Sequence, residues 1–79
     1  MGSKRGQMIS KIRDNLTSVD ATYEVGAIDG QSAYAKCKIA GRDFELNFFI
    51  PRDEREMKLQ IDYILLQRDY WRKNVEEMR

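Results

Sequence analysis

The sequence predicts a single α+β domain of order α-β-β-β-α, in which an antiparallel three-stranded meander is packed by two helices, the second of them long. Three observations lead there. Apolar residues near the start recur at helical spacing. Two turn signals, Asp29-Gly30 and Ala40-Gly41, divide the middle of the chain into three alternating runs, and a long amphipathic segment follows Pro51. Residues 1–6 read as a tag remnant or disordered tip, and 7–79 as the domain.

Met8, Ile9, Ile12 and Leu16, with Val19 at the margin, place a first helix from Lys4 or Gln7 to Leu16. Thr17, Ser18 and Asp20 then offer side chains that compete with helical backbone bonding, so the helix is expected to stop there. A first strand is expected from Thr22 to Ile28, with Tyr23, Val25 and Ala27 on the inner face; that requires an odd-length loop around Asp29-Gly30-Gln31. The second hairpin can be registered from its charges. A two-residue connection at Ala40-Gly41 sets Lys38 opposite Asp43, Lys36 opposite Glu45 and Tyr34 opposite Asn47 on one face, and Cys37 opposite Phe44, Ala35 opposite Leu46 and Ala33 opposite Phe48 on the other. A slip of one residue would destroy both patterns.

Pro51 ends the third strand by removing a donor, and Asp53 with Glu56 has the spacing of a capping box for a helix from Asp53 to Met78. Glu54 and Glu56 suit its positive end, Arg72, Lys73 and Arg79 its other end, and Glu54 with Lys58 and Asp69 with Lys73 are expected i,i+4 pairs. At about 100° per residue, Met57, Ile61, Ile64, Leu65, Trp71, Val75 and Met78 gather on one stripe, while Leu59, Tyr63, Leu66 and Tyr70 form a second one roughly opposite. The first stripe is the richer and is expected to face the sheet. A helix of about 26 residues spans roughly 39 Å and must overhang strands of about 25 Å, so Tyr70, Trp71, Val75 and Met78 need cover from the first helix, a second copy or a partner.

Arg68 interrupts the richer stripe. Its methylenes are expected to lie on the core edge with the guanidinium reaching water; alternatively, as a polar residue within a helix-pair seam, it would fix register and need an acidic mate.

A chain of 79 residues buries only about 60% of the surface that its unfolded state exposes, and a core of this size contributes on the order of 3–5 kcal/mol unless something assists it. The single cysteine, Cys37, excludes an internal disulfide, and with no histidine no zinc constellation can form. No metal or cofactor is expected, which leaves association as the remaining aid. The lone cysteine and the absence of a signal-peptide pattern or membrane-length apolar run place the chain in the cytoplasm as an expectation. Catalysis is not expected either. The commonest general base is missing, no phosphate loop or nucleophile elbow occurs, and Cys37 points inward with nothing to lower its pKa.

The reading best supported is a small non-catalytic interaction module, an adaptor, inhibitor or homodimerising accessory protein, that binds a protein partner or a second copy through its last helix. Leu59, Tyr63, Leu66, Tyr70, Trp71 and Arg68 are the candidate contact residues. Neither a membrane nor a small-molecule substrate is indicated.

Nucleic acid is the alternative partner. Fourteen basic residues against thirteen acidic ones give no bulk electrostatic pull, but Lys4, Arg5, Lys11 and Arg13 near the start, or Lys36 and Lys38 beside Tyr34 and Phe49 on the outer sheet face, are candidate contacts. The element order resembles that of the double-stranded RNA-binding domain, which implies recognition of A-form shape. The resemblance is one of order only: the last helix opens Pro51-Arg52-Asp53-Glu54-Arg55-Glu56, mixed rather than basic, and the first hairpin loop lacks the family's basic and proline-containing character.

Overall fold

The computed structural model describes residues 4–77, with the side chains of residues 6–77. Helix α1 (Lys4–Val19) is followed by strands β1 (Glu24–Ala27), β2 (Ser32–Ile39) and β3 (Arg42–Phe49) and by helix α2 (Glu54–Glu77). The sheet order is β1-β2-β3, antiparallel throughout, and both helices pack on its inner face. This is the αβββα arrangement that the sequence predicts.

Two elements, α1 and β1, differ in their bounds, for local reasons. α1 continues through Val19 because the residues expected to stop it bond back to its own carbonyls: Thr17 Oγ1 donates to the Arg13 carbonyl at 2.8 Å, and Ser18 Oγ to that of Asn15 at 2.7 Å. Strand β1 is shorter than expected. Asp20 Oδ1 accepts the Thr22 N–H at 2.9 Å in a tight turn, and Thr22 Oγ1 then accepts the Lys38 N–H at 3.1 Å, replacing a ladder bond with a side-chain bond. At the other end the Asp29 carboxylate takes the N–H groups of Gln31 and Ser32, both at 2.8 Å, and closes the loop.

Register follows the expectation in both hairpins. Lys38 faces Asp43, Lys36 faces Glu45 and Cys37 faces Phe44, while Val25 faces Ala35 and Ala27 faces Ala33 across the odd-length first loop. Ala40 and Gly41 both take positive φ, 51° and 78°, the backbone of a tight two-residue hairpin turn. On the outer face the Tyr34 ring lies over Gly26, where an added Cβ would come within 2.9 Å of the ring, so one strand fills the groove that the other leaves.

The core lies between the inner sheet face and the helices. Ile12, Leu16 and Ile64 are almost fully enclosed against Ala33, Ala35 and Cys37. The small residues on β2 let the helices sit close to the central strand. At the start of α2, Asp53 Oδ1 accepts the Glu56 N–H and Glu56 Oε2 reaches back to the Arg52 N–H, both at 2.8 Å, which completes the cap one residue earlier than the standard box. Glu54 turns to Lys11 of α1 at 2.9 Å, and Asp69 to Arg68 at 3.3 Å, in place of the i,i+4 pairs expected along the helix. α2 overhangs the sheet, as its length requires, and the molecule measures 48 × 21 × 20 Å.

Candidate protein-interaction surface

The two stripes of α2 have opposite surroundings. Met57, Ile61 and Ile64 are buried against the sheet, as expected of the richer stripe, while Leu59 is 64% exposed, Tyr63 46%, Leu66 66% and Tyr70 60%. The helix overhang accounts for Tyr70 but not for Leu59 or Tyr63, which lie alongside the sheet. Their exposure follows from the 3.6-residue period alone: a side chain half a turn from the buried face has nothing of its own chain to touch.

Trp71 lies at the border. Its ring centroid is 6.0 Å from that of Phe44 on β3, and it meets Tyr70 edge to face at 5.8 Å, so the aromatic surface runs from the outer stripe down to the sheet. Tyr70 and Trp71 stay exposed, Phe44 gives Trp71 partial cover, and Val75 packs on the core. Met78 and Arg79 lie outside the described residues.

By the same helical geometry the flanks of the outer stripe differ. Arg55, Lys58, Asp62, Asp69, Lys73 and Glu76 line one side with balanced charge, whereas Gln60, Gln67 and Asn74 line the other with uncharged amides.

Arg68 departs from its expected setting. It is neither at the outer surface with the other candidate contact residues nor free to send its guanidinium into water: the residue is 9% exposed, and Nε and Nη2 both lie 3.1 Å from Asp20 Oδ2. The acidic mate is in the same chain. Burial works against ionisation of Asp20, but the Thr22 N–H and hydroxyl and the Arg68 guanidinium outweigh it and hold the carboxyl below its ordinary range. Arg72 stands 3.9 Å from the same oxygen. Sequence reasoning missed Asp20, which it treated only as a helix stop; the available signal was that a lone arginine in an apolar stripe needs a carboxylate, and Asp20 directly follows the first helix.

Beside this pair, the buried Tyr23 hydroxyl has no hydrogen-bond partner among the described residues. The Cys37 thiol lies next to it, and burial pushes the pKa of both groups up, which keeps the thiol protonated and unreactive. Among the described residues no three His, Cys, Asp or Glu side chains gather to hold a metal ion, and no helix is long and apolar enough to cross a membrane.

The basic residues proposed for nucleic acid are not brought together. Lys11 and Arg13 belong to α1, on the inner side of the sheet, while Lys36 and Lys38 stand on its outer face; the side chains of Lys4 and Arg5 lie outside the described residues. Each of the four described groups also has a carboxylate neighbour: Glu54 for Lys11, Asp14 for Arg13, Glu24 for Lys36 and Asp43 for Lys38. Phe49 is exposed on the outer face, but the Tyr34 ring is occupied by Gly26.

Comparison with protein-family models, with curated proteins and with solved structures finds no match for this chain.

Proposed function

We propose that this chain is a non-catalytic interaction module that docks on another protein surface through the outer stripe of α2. The observation that carries the reading is the row Leu59, Tyr63, Leu66 and Tyr70, each roughly half or more exposed while the opposite row supplies the core. Isolated exposed apolar residues are ordinary on a protein surface, but four in helical register, extended by Trp71, make a contiguous patch of the kind that marks a binding face. Large aromatic side chains dominate such interfaces, so Tyr63, Tyr70 and Trp71 are the anchors and the two leucines surround them. The mode is a helix presenting periodic anchors to a second helix or a groove.

The test is Tyr63→Ala combined with Tyr70→Ala, read in two ways. Association, followed by light scattering over a concentration series, is expected to weaken by at least tenfold. Thermal melting of the dilute chain, followed by circular dichroism, is expected to stay close to the parent. A double variant that unfolds would assign the stripe to the fold and end the reading.

A further inference from the structure

We infer that the outer stripe of α2 closes on the same stripe of a second copy of this chain, the two helices running antiparallel about a two-fold axis between Tyr63 and Leu66; this deepens the interaction reading above and rests on it. The steps from Leu59 to Tyr63 to Leu66 to Tyr70 are four, three and four residues, the alternation of a helix-pair seam. Continued at the same spacing, the seam reaches Glu56 at one end and Lys73 at the other.

An antiparallel two-fold makes this pattern self-complementary. Leu59 faces the second copy's tyrosine at position 70, and Tyr63 its leucine at position 66, so each layer sets one ring against one aliphatic side chain. Glu56 faces lysine at position 73, and each contact occurs twice, as an isologous interface demands. On the charged flank Arg55 stands beside glutamate at position 76. The amide flank, Gln60, Gln67 and Asn74, meets itself, where donors and acceptors are both present. A parallel pair would set glutamate on glutamate and lysine on lysine at the two ends of the seam. The unfavourable feature of the antiparallel register is Asp62 beside aspartate at position 69, and that carboxylate is already neutralised in part by Arg68 Nη1 at 3.3 Å.

The chain is more extended than a compact monomer of its mass, which leaves the outer side of α2 accessible along its length. A folded monomeric chain of 9.3 kDa exposes about 5,000 Å², whereas this one exposes 5767 Å². The excess, on the order of 800 Å², follows from the elongated shape that the overhang of α2 gives the molecule. The radius of gyration, 12.9 Å, also exceeds the roughly 11.6 Å of a compact chain of this length. The sheet lies against the opposite face of α2, so the approach of a second helix is open.

The experiment is the molar mass by light scattering or sedimentation from low micromolar to near millimolar, with charge reversals on the flank. A dimer of twice 9.3 kDa is expected. Arg55→Glu and Glu76→Arg, both at exposed positions away from the core, are each expected to raise the dimer dissociation constant roughly tenfold, since two cross-copy pairs turn from attraction to repulsion at once. The combined Arg55→Glu/Glu76→Arg chain is expected to regain parental affinity. A dimer indifferent to these reversals but lost in the Tyr63→Ala/Tyr70→Ala chain would overturn the antiparallel register and leave the interaction reading standing. A dimer that survives the tyrosine changes would overturn both. A monomer throughout would overturn the second copy as occupant, and the reading above would then rest on whether the tyrosine variant keeps its fold.

Discussion

On one side of α2 an arginine is buried among Met57, Ile61 and Ile64; on the other, two leucines and two tyrosines stand in water. A rule that sorts residues by hydrophobicity would exchange several of these positions. What decides is the neighbour each position meets. The inner row faces the small residues of β2 and the end of α1, where Ala33, Ala35 and Cys37 leave room and Asp20 supplies a charge; the outer row is left exposed. Apolar character on the inner row stabilises the fold, while on the outer row it stays largely in water. The outer row is therefore the one whose apolar character calls for an explanation outside the chain.

The sharpest way to break this contrast is to truncate one aliphatic side chain on each row. Ile64→Ala removes a group only 1% exposed, and is expected to cost about 3–4 kcal/mol through lost burial and the cavity left behind. In a domain of this size that is most of the stability. Leu66→Ala, 66% exposed, is expected to change the stability of the dilute chain by less than about 0.5 kcal/mol. Urea denaturation at low micromolar concentration separates the two. Comparable losses would mean that the outer row is structural.

The charge on the inner row gives a second, smaller contrast. Asp20→Ala strands a guanidinium whose side chain is 10% exposed, with Asp69 the one carboxylate still in reach among the described residues, and is expected to cost about 3 kcal/mol. Arg68→Met should cost about 1 kcal/mol or less, because the methionine fits the apolar row and Asp20 keeps the Thr22 N–H, the Thr22 hydroxyl and Arg72. The asymmetry is the measurable point. Equal losses would show that the ion pair acts as a unit with no preferred partner.

How much of this could be read from residues alone follows the distance over which each feature is decided. The register of β2 and β3 was legible because alternation and cross-strand charge demand the same pairing, and both depend on neighbours joined by a two-residue turn. The orientation of α2 was legible only as a preference: one stripe holds more aliphatic surface than the other, but both are apolar, and the packing of Met57, Ile61 and Ile64 in the core decides between them. The partner of Arg68 lies 48 positions away, and that of Glu54 43 positions away, in elements whose mutual placement no local pattern encodes. The end of α1 was missed for a different reason. Thr17 and Ser18 have two bonding modes of similar strength, one that ends a helix and one that bonds back along it, and only the surrounding packing selects between them. For the candidate surface, the exposure of the outer row follows from helical spacing residue by residue, whereas the burial of Arg68 depends on Asp20 in another part of the chain.

The tyrosines provide the last and smallest comparison. Tyr63 and Tyr70 keep their rings at the surface, whereas Tyr23 is 5% exposed and its hydroxyl has no hydrogen-bond partner among the described residues. Tyr23→Phe removes a polar group that burial strips of water without return, so at neutral pH the variant is expected to be as stable as the parent or better by up to about 1 kcal/mol. The pH dependence carries the sign. Burial raises the folded-state pKa of both Tyr23 and Cys37, so above about pH 9 the unfolded chain releases protons that the folded chain retains, and parental stability falls as pH rises. Tyr23→Phe deletes the tyrosine's share of that loss, and its advantage should widen from about pH 9 to 11. At the acid end the direction reverses. The folded-state pKa of Asp20 is depressed, so its contribution is present above the ordinary carboxylate range, near 4, and is lost as pH falls through the folded value, equally in parent and variant. Melting temperatures of the two chains that diverge only on the alkaline side would locate the idle hydroxyl in the core. A variant that loses stability at neutral pH would instead show that the hydroxyl makes a bond to the Cys37 thiol worth keeping.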